Sequence, residues 1–279
     1  MKSLYDVLAP AKLNLFLHVI GRRADGMHLL QSAFMLIDWC DTLHFEPCAG
    51  NGISRADLSA SLPTLDLIIR AAQALQQATG HQEGVHISVD KQVPAQAGMG
   101  GGSSDAASTL LALNRLWNLK LPLAVLSRIG LRLGADVPFF LAGQNAWIEG
   151  VGEVVTPISL ASARFVVIKP PAGLDTARIF SNPALKRDTD AATMSGFAAD
   201  PFGFGRNDLQ AVASAECPGV HAGLQWLAAQ GLRGRMTGSG SAVFARLQHD
   251  LDVARVDAGF EARLCRNLER HPLWGWAPE

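Results

Sequence analysis

Leu13, Leu15, Leu17 and Val19 alternate with Asn14, Phe16, His18 and Ile20, which predicts a buried strand near the start of the chain. The polar run Arg22-Arg23-Ala24-Asp25-Gly26 reads as a turn closed by glycine. Residues 31–38 and 41–47 read as two further strands. Leu65, Ile68, Ile69, Ala72 and Leu75 recur at helical spacing and predict a helix over 64–79, with Gly80 at its C-terminus. Val85, Ile87 and Val89 alternate with His86, Ser88 and Asp90, a strand over 84–90. A glycine-rich loop at 94–104 leads into a helix over 104–117 that is rich in small residues, and Pro122 sits at the first position of another helix over 122–133.

In the second half, Phe165-Val166-Val167-Ile168 forms a strand ending at Pro170-Pro171, and 183–206 reads mostly as loop. Helices are expected at 207–215, 219–229 and 252–266, and strands at 233–237 and 241–247. This interleaving predicts an α+β fold with mixed sheets more than a doubly wound parallel sheet.

Composition narrows the function classes. With 48% hydrophobic and 18% charged residues, the 279-residue chain is globular and long enough for one large domain or two ordinary ones. Its net charge of −1 gives no general attraction to nucleic acid or to an anionic membrane. No apolar run reaches the roughly eighteen residues of a membrane helix. Asp6, Pro10, Lys12 and Asn14 interrupt any signal-peptide core, so the expected compartment is the cytoplasm. The cysteines at 40, 48, 217 and 265 fit neither a zinc knuckle nor a CxxC pair and are read as reduced, mostly buried thiols; no protein-held metal site is expected.

The richest chemistry lies in Pro94-Ala95-Gln96-Ala97-Gly98-Met99-Gly100-Gly101-Gly102-Ser103-Ser104, between a strand and a helix. Its glycines let the main chain approach a ligand closely, and their amides can converge on an anion. The following helix turns its positive end to the same point. These residues are the candidate site for a di- or triphosphate. The spelling excludes three alternatives. No Gly-Lys pair exists for a Walker A loop, Ser103 replaces the third glycine of a dinucleotide fingerprint, and Ser103 lacks the glycine two residues on that a nucleophile elbow needs.

This loop resembles the phosphate-binding motif of the GHMP kinases, a superfamily of small-molecule kinases. Pro10-Ala11-Lys12-Leu13-Asn14-Leu15 and Met236-Thr237-Gly238-Ser239-Gly240-Ser241-Ala242 resemble its other two motifs. Gly21 to Gly26 with His28, Gly134-Ala135-Asp136-Val137-Pro138-Phe139-Phe140, and Glu149-Gly150-Val151-Gly152-Glu153 are similar to the branch that acts on an alcohol bearing a cytidine diphosphate group. The resemblance implies a ribosomal-S5-like ATP-binding domain over 1–155 and a ferredoxin-like domain over 156–279, with ATP and substrate between them. It further implies ATP with Mg2+, phosphorylation of a hydroxyl of that substrate, and a place in the non-mevalonate route to isoprenoid precursors.

Asp136 lies in an otherwise apolar segment and Lys12 on an apolar strand, so facing each other lowers the cost of burying either. Together they are the candidate catalytic pair, a role the resemblance also assigns. For the cytosine-bearing substrate the candidates are Asn14, Met27, His28 for the base edge and Phe180 for its face. Met27 stands where a stacking Tyr is usual in that branch, and Asp66 where an Asn is common. Arg255, Arg263, Arg266 and Arg270 read as a solvated face of the last helix, while Trp274 and Trp276 suggest a tail docked on the body or on another subunit.

Overall fold

The computed structural model describes residues 2–256 and 259–278. Two long strands, β1 (Leu4–Arg22) and β2 (His28–Cys48), form an antiparallel hairpin across the reverse turn at 23–27. The two strands expected at 31–38 and 41–47 are one. Its polar interruption is absorbed by tertiary hydrogen bonds: Asp38 accepts from the Arg266 amide at 2.8 Å, and buried Asp41 accepts from the Gln92 and Val93 amides at 2.6 and 2.7 Å.

The length of β2 lets it serve several partners. Its C-terminal half pairs with β4 (Gly84–Asp90), which β3 (Ile53–Asp57) joins in parallel. Its N-terminal half pairs with β5 (Ala146–Glu149), which carries β6 (Val154–Pro157). Four helices belong to this half: α1 (Leu67–Thr79), α2 (Gly101–Leu116), α3 (Leu123–Leu133) and α4 (Val137–Ala142). Asp66 caps α1 by accepting from the Ile69 amide, and Gly80 ends it in the left-handed conformation that glycine tolerates. Pro122 is the N-cap of α3, one place earlier than expected.

The second sheet runs β10 (Glu261–Arg266), β7 (Arg164–Lys169), β9 (Val243–Arg246), β8 (Arg235–Met236), with every pairing antiparallel. In chain order this is 4-1-3-2, the order of a ferredoxin-like unit. Between β7 and β8 lie α5 (Thr176–Ser181), α6 (Met194–Ala199), α7 (Gln210–Glu216) and α8 (Pro218–Ala229); the short α6 interrupts the loop expected at 183–206.

The helix expected over 252–266 is a correction. Val253–Arg255 make a single 3-10 turn and Glu261–Arg266 is β10, while residues 257–258 of that expectation, Asp257 included, lie outside the described residues. Six consecutive pairings with β7 outweigh the helical propensity of the segment. The arginines therefore share no helix face: the Arg263 guanidinium lies 5.3 Å from the Trp39 ring and that of Arg270 5.0 Å from Trp274. The tail docks on the first half, where His271 N donates to Gly143 O and Leu273 enters the core. Trp39, Trp147, Phe165 and Phe244 belong to one buried cluster that joins the two sheets. Among the cysteines, Cys217 and Cys265 are buried and Cys48 is exposed; all four are free.

Candidate active site

Lys12 and Asn14, two residues apart on β1, project to the same face. The β1–β2 register slips between Pro10 and Lys12, an irregularity of the kind that re-aims side chains. Lys12 is 3% exposed, and its Nζ donates to Asn14 Oδ1, lies 4.5 Å from the centre of Phe34 and is 3.6 Å from Asp136 Oδ2. Burial pulls the lysine pKa down, and the Asp136 carboxylate opposes that pull. Asp136 immediately precedes α4, whose first turn contains Pro138. Its side chain makes no capping bond, so the carboxylate is left to Lys12 and to the cavity.

The glycine loop is fastened on two sides. Lys12 N donates to Met99 O at 2.9 Å, while Ser241 N and Ala242 N donate to Gln96 O and Ala97 O at 3.2 Å. Thr237 Oγ1 accepts from the Asn14 amide at 2.9 Å and donates to Gly98 O at 3.3 Å. Gly98 and Gly100 both have φ of +72°, closed to most side chains. A Cβ on Gly98 would lie 2.2 Å from Thr237 O; one on Gly100 would meet the Phe140 ring at 3.0 Å and Lys12 Cε at 3.3 Å. The latter contact puts the loop directly against the Lys12 side chain.

α2 begins at Gly101, three residues before the helix start expected from the sequence, with Gly100 as an N-cap that offers no side chain. Its first-turn amides thus lack a side-chain capping acceptor and are open to an anion. Ser104 is fully buried and its hydroxyl has no partner. At the next residue, the Asp105 carboxylate shares Lys91 Nζ with Asp41: both accept from it, Asp105 at 2.6 Å. Burial, together with the Asp41 carboxylate and against the pull of Lys91, pushes the Asp105 pKa up to about 8.

Lys91 and Asp105 join the glycine loop around one cavity of about 800 Å³. Its wall takes in the loop from Pro94 to Ser103, with Lys12, Asn14, Asp136 and, from α5, Phe180. Leu62, Leu67 and Val93 give an apolar flank beside Asp66, which also bonds Arg55 Nη1 at 2.7 Å. Not every expected residue reaches it: Ser104, expected in the phosphate site, is fully buried and does not line the cavity. His28 stands beside Phe180 with ring centres 5.1 Å apart, outside the lining itself, and Met27, half exposed on the turn, does not line the cavity. Three features escaped the sequence reading: the Lys91–Asp41–Asp105 cluster, the fastening by Thr237, and Arg187, which donates to His28. Thr237 lay within a recognisable motif, whereas Arg187 sits in a stretch without periodicity.

Residues 66–144 match the family model for the GHMP kinases N terminal domain. A 4-diphosphocytidyl-2-C-methyl-D-erythritol kinase of Albidiferax ferrireducens is 64% identical over 277 residues, 99% of this chain and 96% of its own. A protein of the same name from Acidovorax ebreus is 60% identical, covering 99% of each chain. A crystal structure of 4-(cytidine 5'-diphospho)-2C-methyl-D-erythritol kinase superposes with a TM-score of 0.81 at 32% identity, over 95% of this chain and 99% of that one. A mevalonate kinase structure, at 14% identity and a TM-score of 0.69 over 95% and 99%, shares the fold.

Proposed function

Because the chain belongs to the 4-diphosphocytidyl-2-C-methyl-D-erythritol kinases within the GHMP superfamily, we propose that it transfers the γ-phosphoryl group of ATP to the 2-hydroxyl of 4-diphosphocytidyl-2-C-methyl-D-erythritol. The products are the 2-phosphate and ADP, and the reaction belongs to the non-mevalonate route to isoprenoid precursors. The observation that carries this reading is the Lys12–Asp136 pair, 3.6 Å apart and set against the uncapped start of α2 through Gly100.

In this mechanism the α2 amides and the loop from Pro94 to Ser103 hold the polyphosphate. Asp136 accepts the proton of the attacking hydroxyl as its oxygen bonds to the γ-phosphorus and the bond to the ADP oxygen breaks. Lys12, whose downward pull by burial the Asp136 carboxylate opposes, offsets the negative charge gathering on the transferred group. Asn14, already bonded to Lys12 and through Nδ2 to Ser32 Oγ at 3.0 Å, fixes the ammonium and one polar group of the acceptor. Phe180 supplies a face for the cytosine, and His28 its edge. With Met27 outside the cavity lining, stacking is one-sided.

Mg2+ would come with ATP and offset charge on its phosphate oxygens, with Ser103 on the cavity wall as a candidate protein ligand. Among the described residues no three His, Cys, Asp or Glu side chains gather as a cage for it. Among the same residues no helix is long and apolar enough to cross a membrane; we assign the enzyme to the cytoplasm, where both nucleotides are available. We place the domain division at 158–163, slightly beyond the boundary at 155/156, because β6 pairs with β5 in the first sheet and β7 opens the second.

A coupled ADP-release assay tests the reading. Turnover is expected with the cytidylyl substrate and not with homoserine, mevalonate or galactose. Equal turnover of a small alcohol would refute it.

A further inference from the structure

Arg187 lies in the loop after α5, and all its guanidinium nitrogens are engaged. Nη1 donates to Leu185 O at 2.9 Å, and Nη2 to Phe180 O at 3.0 Å and Asn182 O at 2.8 Å. Nε donates to His28 Nε2 at 3.0 Å. The planar fork thus ties the backbone of Phe180 to the imidazole of His28, whose rings stand 5.1 Å apart at 37°.

A guanidinium only donates, so Nε2 of His28 must accept. A neutral imidazole that accepts at one nitrogen carries its proton on the other. Burial and the positive charges of Arg187 and Arg22 hold the His28 pKa below the ordinary histidine value, which keeps the ring neutral. Arg22 is itself tied down through Nε to Gly26 O at 2.8 Å, and the turn's Asp25 is paired with Arg23 at 2.9 Å.

Resting on the proposed function, we propose that Arg187 is a positioning residue for base selection: by fixing the His28 tautomer it makes Nδ1–H the group offered to the pyrimidine edge. Such a donor meets an acceptor at N3 of cytosine and another donor, N3–H, in uracil. The site then selects a cytidine over a uridine nucleotide through an unmatched donor pair, a more severe penalty than loss of apolar contact. Cytidine and uridine nucleotides differ only in this edge, so shape alone does not separate them.

The test is competition by CMP and UMP against the cytidylyl substrate in wild type, Arg187→Met and Arg187→Lys. Wild type is expected to prefer CMP by about tenfold or more, the scale of one mismatched hydrogen-bonding edge. Arg187→Met should bring the ratio close to one and raise KM for the cytidylyl substrate by a larger factor than it lowers kcat. It also removes a positive charge beside His28, so the acid limb of kcat/KM should move to higher pH. Arg187→Lys, with one ammonium in place of a fork, should fall between.

Nitrogen-15 NMR of ring-labelled histidine in the wild-type chain provides a reading that needs no variant. The Nδ1–H tautomer is expected for His28, and Nε2–H would overturn the inference. An equal CMP preference in wild type and Arg187→Met would overturn the role of Arg187 alone, whereas failure of both nucleotides to compete would overturn the proposed function with it.

Discussion

At the scale of single residues, Asp136, the proposed base, is separable from the fold. Asp136 caps nothing, and its side chain is 31% exposed. Asp136→Ala is therefore expected to keep its circular dichroism and lose turnover by about 10²–10⁴-fold, the usual contribution of a general base; near-normal turnover would remove Asp136 from that role. Asp105 has the opposite character. Its carboxyl releases its proton near 3.8 when unfolded and near 8 when folded. Between those values the folded state binds more protons, so this group lowers stability as pH rises from about 4 to about 8 and adds no further slope beyond. Asp105→Asn should flatten that part of the profile and melt higher than wild type at pH 8. Parallel melting curves from pH 5 to 9 decide it, and superimposable profiles would show that the Lys91 cluster does not hold a proton there.

At the scale of elements, the glycine loop works because of its backbone and what crowds it. Gly98→Ala would place a methyl 2.2 Å from the Thr237 carbonyl at a positive φ. It is expected to cost about 1–3 kcal/mol or more in denaturant unfolding and to raise KM for ATP; an unchanged midpoint would mean that the loop yields without cost. The loop was legible in the sequence because glycine clustering is a local signal. The start of α2 was not, since three glycines and serines read as loop until the helix amides are seen to continue through them. β2 was broken in two because Asp38 and Asp41 look like a turn, and only their distant partners, Arg266 and Val93, explain how a strand tolerates them. β3 went unseen because Ile53–Asp57 is mostly polar and owes its place to pairing with β4 and to the Arg55 bonds with Asp57 and Asp66. The misread segment 252–266 makes the same point: an edge strand is specified by the neighbour it lies against.

At the scale of the molecule, the two halves hold each other. The tail returns to the first half through His271 and Leu273, and burial drives the His271 pKa down to about 3. Here the unfolded chain takes up a proton near 6.5 that the folded chain refuses until about 3. Stability therefore falls as pH drops through that window, by at most about 1.4 kcal/mol per pH unit from this group. His271→Gln should lessen the acid slope of the melting temperature; an identical slope would assign acid sensitivity elsewhere.

The fastening by Thr237 reaches Asn14 across 223 positions of the chain. During synthesis the glycine loop leaves the ribosome long before the segment that braces it. A polypeptide that ends ahead of Thr237 has the glycine loop without its brace, so the loop's final form waits on a residue 139 positions beyond Gly98.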